Sequence, residues 1–442
     1  MTLRSAHVLA LLGVVMAAGC RPTERALPAE ESREPLPVAR PKTCEEASPG
    51  QSLQALLERV PAGSAVCLRP GLYPEHIRVD RGVTLWGPRD AVIRSDGTGT
   101  TVRAAGRGTR LLGFTIEGSG SRYDKMDSGL HIQGEEIEAQ GLLIRRAVFG
   151  VNVERSRGVL MRGNVILGTG EAALGLRGDG IRFWEVTDAR IEQNFITGSR
   201  DLVIRYTKRT RIAGNTVTRG RYGLHLMYSS DVTLEDNRSL GNVVGTFIMY
   251  SHEVRYLRNL IAASSGAAGI GLGMKESGNL LVQDNVSLRN NVGLYLDTSP
   301  LQQGDANTFR HNAFRLCNVG AIFHSSQRGN TFIGNSFRDN LEQVRVEGGG
   351  DALGSRWEGN DFDDYAGFDW NGDGEGDVPY ELYSLSSNLQ SRFPDLAYFR
   401  GTVALSLVDA VTHILPLFKP RPLLIDKRPS LRRIDVEVPG AD

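Results

Sequence analysis

The chain has 442 residues, with 51 basic and 51 acidic side chains, so its formal net charge is zero. That balance removes the electrostatic case for nucleic acid or an acidic polymer as a partner. Its 52 glycines and recurring Asn-containing turns point to a β-rich chain with many turns, and the two or three domains suggested by length need not hold for a repeat fold.

Residues 1–20 read as a lipoprotein export signal. Arg4 and His7 make a short polar start, and Val8 to Ala18 form an apolar run too short to remain as a spanning helix. Small residues lead into Cys20, the expected lipidation site, although Ala17 stands where Leu is usual. The expectation is a periplasmic protein held to a membrane by a lipid anchor. Residues 21–43 are rich in Pro, Glu, Arg and Ala and read as a disordered linker, able to reach roughly 70 Å at about 3.3 Å per residue. In an oxidising compartment Cys44 and Cys67, which flank the first folded element, are the expected disulfide, leaving Cys317 as a small buried apolar residue.

Residues 44–360 carry an internal repeat. Ser52 to Val60 (SLQALLERV) has the pattern of a short amphipathic helix capped by Ser52 and placed to cover the first coil. An Asn then recurs at 164, 194, 215, 237, 259, 285, 312, 335 and 360, spaced 21 to 30 residues apart. In step with it, Gly129, Gly150, Gly180, Gly223, Gly245, Gly269, Gly293 and Gly320 each precede a stretch of alternating apolar residues. Alternation makes a short strand with one buried face, and two or three such strands with turns use about 22 residues per coil. The Asn suits a turn with an unusual backbone angle, and its amide can bond the Asn of the next coil. The expected fold is all-β: a single-stranded right-handed parallel β-helix with an N-terminal helical cap and a helical C-terminal tail. A sandwich would not hold one register for nine turns, and a propeller blade needs nearer 40 to 50 residues.

Aligning coils on their glycines places certain side chains in vertical columns. His225 and Met227 share a strand face, Met249 falls one coil beyond Met227, and Met274 lies five residues after Gly269. His252 and His324 are weaker candidates on neighbouring coils. Residues 361–382 form an acidic loop in which Asp369, Asn371, Asp373, Glu375 and Asp377 have the alternate spacing of a structural calcium loop, but Tyr380 stands where a bidentate Glu is expected. Residues 383–442 read as a partner-docking tail. Phe393, Phe399, Leu405 and Val408 mark an apolar helix face too short and polar to span a membrane.

The opening PGLYPEHIRVDRGVTLWG, the central RGDGIRFWEVTDARIEQN and RYGLHLMYSSDVTLEDN, TFIMYS, the late DWNGDGEGDVPY and the closing SRFPDLAYFRGTVALSLVDAV and LLIDKRP, in this order, resemble the NosD family. NosD proteins are β-helical periplasmic subunits of the nitrous oxide reductase maturation system. The resemblance covers residues 48 to about 430 and implies a non-catalytic role in copper-site assembly. It implies as partners an inner-membrane ABC transporter (permease and ATPase), a copper chaperone lipoprotein and apo nitrous oxide reductase, with the tail docked on the permease. The lipobox and long linker depart from the family pattern. In this light His225, Met227, Met249 and Met274 become copper ligands, because thioether and imidazole suit soft Cu(I), held transiently. The other reading of the methionines is a dry patch against a protein partner. The rival function is a carbohydrate-active β-helix enzyme, a lyase or uronate epimerase. The Asp-Pro-His signature of alginate epimerases is absent, and acids such as Asp179, Asp201 and Asp297 are scattered over separate coils.

Overall fold

Short strands with alternate residues buried repeat along the chain and stack into two long parallel sheets of 26 and 13 strands. Each coil gives two strands to the first sheet and one to the second, building a right-handed parallel β-solenoid of about 14 turns. The structure is a computed structural model that describes residues 33–325, 327–383, 389, 393–399, 402, 404, 407 and 422–438. The inward side chains, Val, Ile, Leu and Phe from nearly every coil, merge into one continuous core. A coil alone cannot bury its apolar edge, and stacking supplies the missing neighbour. At the N-terminal end Leu53–Arg59 is a short helix, with the Ser52 hydroxyl accepting from the Ala55 N–H and with Leu53, Leu56 and Leu57 buried. Cys44 and Cys67 are joined as a disulfide, with Cα atoms 5.7 Å apart.

The repeated Asn residues form a buried ladder. Each side-chain amide from Asn164 to Asn335 donates to the Oδ1 of the next Asn at 2.8 to 3.0 Å. The unusual backbone angle falls one residue earlier than expected. Gly163, Gln193, Gly214, Asp236, Arg258, Asp284, His311, Gly334 and Gly359 have positive φ, while the Asn residues do not. The turn residue takes the left-handed conformation so that the next side chain points along the stack and satisfies its neighbour's amide.

Asp426 ends the ladder. Its Oδ2 accepts from the Asn360 N–H at 3.0 Å and from Asn360 Nδ2 at 2.8 Å, and its Oδ1 accepts from the Arg428 N–H at 3.1 Å. A carboxyl group caps the terminal rung because its two oxygens accept donors from both sides, three in all. Asp426 sits on Pro422–Asp426, a strand antiparallel to Tyr380–Tyr383. The expectation of a helical docking tail over 383–442 is therefore corrected for this part. Residues 422–438 return to the last coils, with Leu423 and Leu424 buried and Val436 packed near Leu260, Val286 and Ala313. The only helical segment longer than one residue among the tail's described residues is the short 3-10 stretch Pro394–Phe399. Replacing Asp426 by Ala is expected to cost about 2–4 kcal/mol in chemical denaturation, since it strips three donors of their acceptor. Burial pushes the Asp426 carboxyl above its ordinary range despite the donors from Asn360, Arg428 and Gly359. Its contribution is then fullest below the unfolded-state pKa and falls as pH rises through the folded one, a slope that Asp426→Asn removes.

A second correction concerns the linker. Residues 34–43 lie along the coils as an extended strap. The Leu36 N–H donates to the Gly163 carbonyl at 2.9 Å, and the Trp86 Nε1–H donates to the Val38 carbonyl at 3.1 Å. A Cβ on Gly163 would come within 2.4 Å of the Leu36 side chain, so this glycine is needed for close approach as well as for its φ of 62°. Strap order comes from a few specific bonds, one leucine and ion pairs of Glu34 with Arg89 and Arg40 with Glu46, which composition does not reveal. Cys20 lies outside the described residues.

Candidate functional site

Three consecutive coils set the outer face of the long sheet. In Tyr222–Met227 the side chains of Leu224 and Leu226 enter the core, so His225 and Met227 point outward. In Val244–Met249 Thr246 and Ile248 go in, and Phe247 and Met249 go out. Parallel register sets Met227 directly beside Met249, and His225 beside Phe247. The expected column of His225, Met227 and Met249 is thus brought to one patch. Both methionines are half-buried.

Met274 is not part of it. It faces the interior, fully buried, in register with Ile248 and Leu296, and the outward neighbour of Met249 is Lys275. The glycine in register with Gly245 is Gly271, not Gly269, because Val244 pairs with Ile270. Met274 lies three residues after Gly271, an odd offset where Met227 and Met249 lie four after their glycines, and in a strand parity decides the face.

His225 is only 8% exposed, its ring stacked on Tyr222 at 4.4 Å. Neither ring nitrogen makes a hydrogen bond. Nδ1 lies 3.9 Å from Asp201 Oδ2, too far for one. Asp201 is held elsewhere: it accepts from Arg221 Nη2 at 2.5 Å and from the Tyr222 N–H at 3.1 Å. Burial opposes its ionisation, the Arg221 guanidinium favours it, and the carboxyl stays below the ordinary range. Behind it, burial pushes the Asp179 carboxyl up, and Arg200 Nε donates to it at 2.9 Å.

Beside the methionines runs a stack of rings. Tyr206 and Tyr228 lie 5.1 Å apart and Tyr228 and Tyr250 4.7 Å apart, nearly parallel. The signal for these rings is present in the sequence as Arg205-Tyr206, Met227-Tyr228 and Met249-Tyr250, each closing a strand at the same register. Their faces cover one another, so they offer edges to solvent and no open platform for a sugar ring.

The remaining candidates lie apart. His252 is engaged by Asp305, with Nδ1 3.2 Å from its Oδ2. His324 sits in the Met227 column, three coils beyond Met249. Cys317 is buried with its thiol pushed up to about 11 by burial. In the acidic loop, Asp369 accepts from the Gly372 and Gly374 N–H groups at 2.6 and 2.8 Å, and Asp377 accepts from the Trp370 N–H at 2.6 Å. The Asn371 and Asp373 side chains accept from the Asp373 and Glu375 N–H groups, each at 2.8 Å. Arg428 pairs with Glu375 at 2.5 Å and with Asp373 at 3.6 Å. The loop oxygens are thus turned onto backbone amides and a guanidinium that ties the loop to the C-terminal segment. Among the described residues no three His, Cys, Asp or Glu side chains converge as a metal cluster, which leaves sulfur as the donor that sets the methionine patch apart. Phe393 and Phe399 are exposed, while Leu405 and Val408 lie outside the described residues. No described helix is long and apolar enough to cross a membrane.

Comparison with known proteins gives the same two signals, fold and family. Among solved structures, the mannuronan C-5 epimerase A-module of Azotobacter vinelandii superposes with a TM-score of 0.53 at 14% identity, covering 70% of this chain and 93% of that one. The catalytic unit of an α-1,3-glucanase from Streptomyces thermodiastaticus gives 0.53 at 16% identity, covering 75% and 72%. At that identity the likeness is one of fold alone. Two curated relatives, each described as a probable ABC transporter binding protein NosD, align over most of both chains. That of Stutzerimonas stutzeri is 25% identical over 83% of this chain and 86% of its own length, and that of Pseudomonas aeruginosa 24% over 83% and 87%. Residues 168–367, which include the methionine patch, match the family described as periplasmic copper-binding protein (NosD).

Proposed function

We propose that this chain is a non-catalytic periplasmic accessory protein for copper-site assembly of nitrous oxide reductase. It would be tethered through a lipid on Cys20 and work with an inner-membrane ABC transporter and a copper chaperone lipoprotein. Copper is its cargo, taken as Cu(I) by Met227, Met249 and His225 and passed on to the apo-reductase. The observation that carries this reading is the pairing of two outward thioethers across one rung, beside an imidazole whose nitrogens are both buried and unbonded. Thioether sulfur and neutral imidazole are donors that favour Cu(I) over hard cations. Half-burial restricts water, and the nearest carboxylate is committed to Arg221.

The fold's likeness to carbohydrate-active enzymes raises the rival reading of a lyase or epimerase. Such chemistry needs a free acid and base across a cleft. Here Asp179 and Asp201 are tied to Arg200 and Arg221, and Asp297 pairs with Lys275 at 3.2 Å. Anaerobic Cu(I) titration of the purified chain against a chromophoric chelator should give one bound ion per chain. Failure to compete with the chelator, or turnover of a polyuronate, would overturn the proposal.

A further inference from the structure

One coil below the methionine pair, Arg205 is a cation without a counter-ion. It stands in register with Met227 on one side and with Trp184 on the other. Its guanidinium carbon lies 4.9 Å from the Trp184 ring, 5.4 Å from Tyr206 and 5.5 Å from Tyr228. Its Nε is buried and meets no acceptor. The Arg182 guanidinium carbon is 4.8 Å from the same indole, and one of its nitrogens donates to Asn152 Oδ1 at 2.8 Å. Burial lowers the pKa of Arg182. The acids within reach already have partners. Glu154 accepts from His131 at 3.1 Å, Asp179 from Arg200 at 2.9 Å, and Asp201 from Arg221 at 2.5 Å.

Two like charges held against one indole, one of them with no acceptor for its donors, is an arrangement short of an anion. A guanidinium presents five donors in a planar fork that matches a carboxylate or a tetrahedral oxyanion. Aromatic faces hold the fork in place without using its N–H groups. We infer that Arg205 and Arg182, both held against Trp184, form a binding site for an oxyanion of the carboxylate or sulfate class, adjoining the methionine column. The anion approaches along the outer face, because Arg182 and Arg205 alternate with the buried Phe183 and Ile204 and so lie on the outward side of their strands. The site does not depend on copper, and the two can be tested apart.

The experiment uses the full chain without metal and follows the indole N–H resonance of Trp184, assigned with Trp184→Phe among the four tryptophans. Sodium sulfate and a blocked diglutamate peptide are titrated separately at constant ionic strength set with chloride. The expected result is a saturable shift of the Trp184 resonance. Arg205→Gln should weaken it at least tenfold, and Arg205→Lys, which keeps the charge but not the fork, should weaken it less. Met227→Leu with Met249→Leu should leave it unchanged. Saturation by sulfate alone assigns a free oxyanion. Saturation by the peptide at tenfold lower concentration assigns a carboxylate borne by a polypeptide. No saturable shift with either probe, or an equal shift in the folded Arg205→Gln and Arg205→Lys proteins, overturns the inference.

Discussion

Replacing Asn259 by Ala is expected to lower the unfolding free energy by about 3–6 kcal/mol, a large effect for one side chain. Asn259 is 1% exposed and its amide works in both directions along the stack. Its Nδ2 donates to the Leu234 carbonyl and to Asn285 Oδ1, each at 3.0 Å. Its Oδ1 accepts from the Asn237 N–H and from Asn237 Nδ2, each at 3.0 Å. Truncation takes the acceptor from the Asn237 N–H and from one of the two Asn237 Nδ2 hydrogens, the other keeping the Ile212 carbonyl, and takes a donor from the Leu234 carbonyl; each buried bond left unmade costs about 1–3 kcal/mol. In a solenoid the loss falls on the coils touching the defect. Asn259→Asp keeps the acceptor and loses the donors, so it should fall between. Thr233→Ala, an outward change one coil away, should stay within about 0.5 kcal/mol. Denaturant melts of the three variants, followed by far-ultraviolet circular dichroism, check the order. If Asn259→Ala melts like Thr233→Ala, the ladder is not what holds the coils in register.

The parts of this fold that sequence revealed are those whose physics repeats. Alternation and the recurring Asn are imposed afresh by every coil, so they show as a period. The pairing of Met227 with Met249 was readable because no residue is inserted between their coils. The next coil is four residues longer and its register glycine is Gly271, so the outward position in the methionine column falls on Lys275, and Met274, one residue earlier, faces inward. A one-residue slip in parity is invisible in composition and changes the face entirely. Two other features escaped because each happens once. The strap at residues 34–43 is held by one backbone bond to Gly163, by the Trp86 indole on the Val38 carbonyl and by ion pairs of Glu34 with Arg89 and Arg40 with Glu46, none of which needs an apolar pattern in the strap. Asp426 completes a ladder whose last Asn is 66 residues away, and nothing local in LLIDKRP announces that role.

His225 offers the sharpest separation of stability from function. Its ring nitrogens are buried and bonded to nothing, which a structural histidine would not tolerate without cost. His225→Phe keeps an aromatic ring against Tyr222 and deletes both orphaned atoms, so it should stabilise the chain by about 1–2 kcal/mol. The same change should weaken Cu(I) binding at least tenfold, about 1.4 kcal/mol, because it removes a ligand. Met227→Leu with Met249→Leu should weaken binding about 100-fold or more, near 2.7 kcal/mol, and should abolish reductase activation in cells. Leu for Met is close to volume-conserving, so the folded state should lose less than about 1.5 kcal/mol per site. A residue kept against the interest of stability is one whose partner arrives from outside the chain. If His225→Phe destabilises the protein, the imidazole has an internal partner and the metal assignment loses its support. Should the double methionine variant hold Cu(I) as tightly as the parent, the thioether pair is only an apolar patch on the outer sheet.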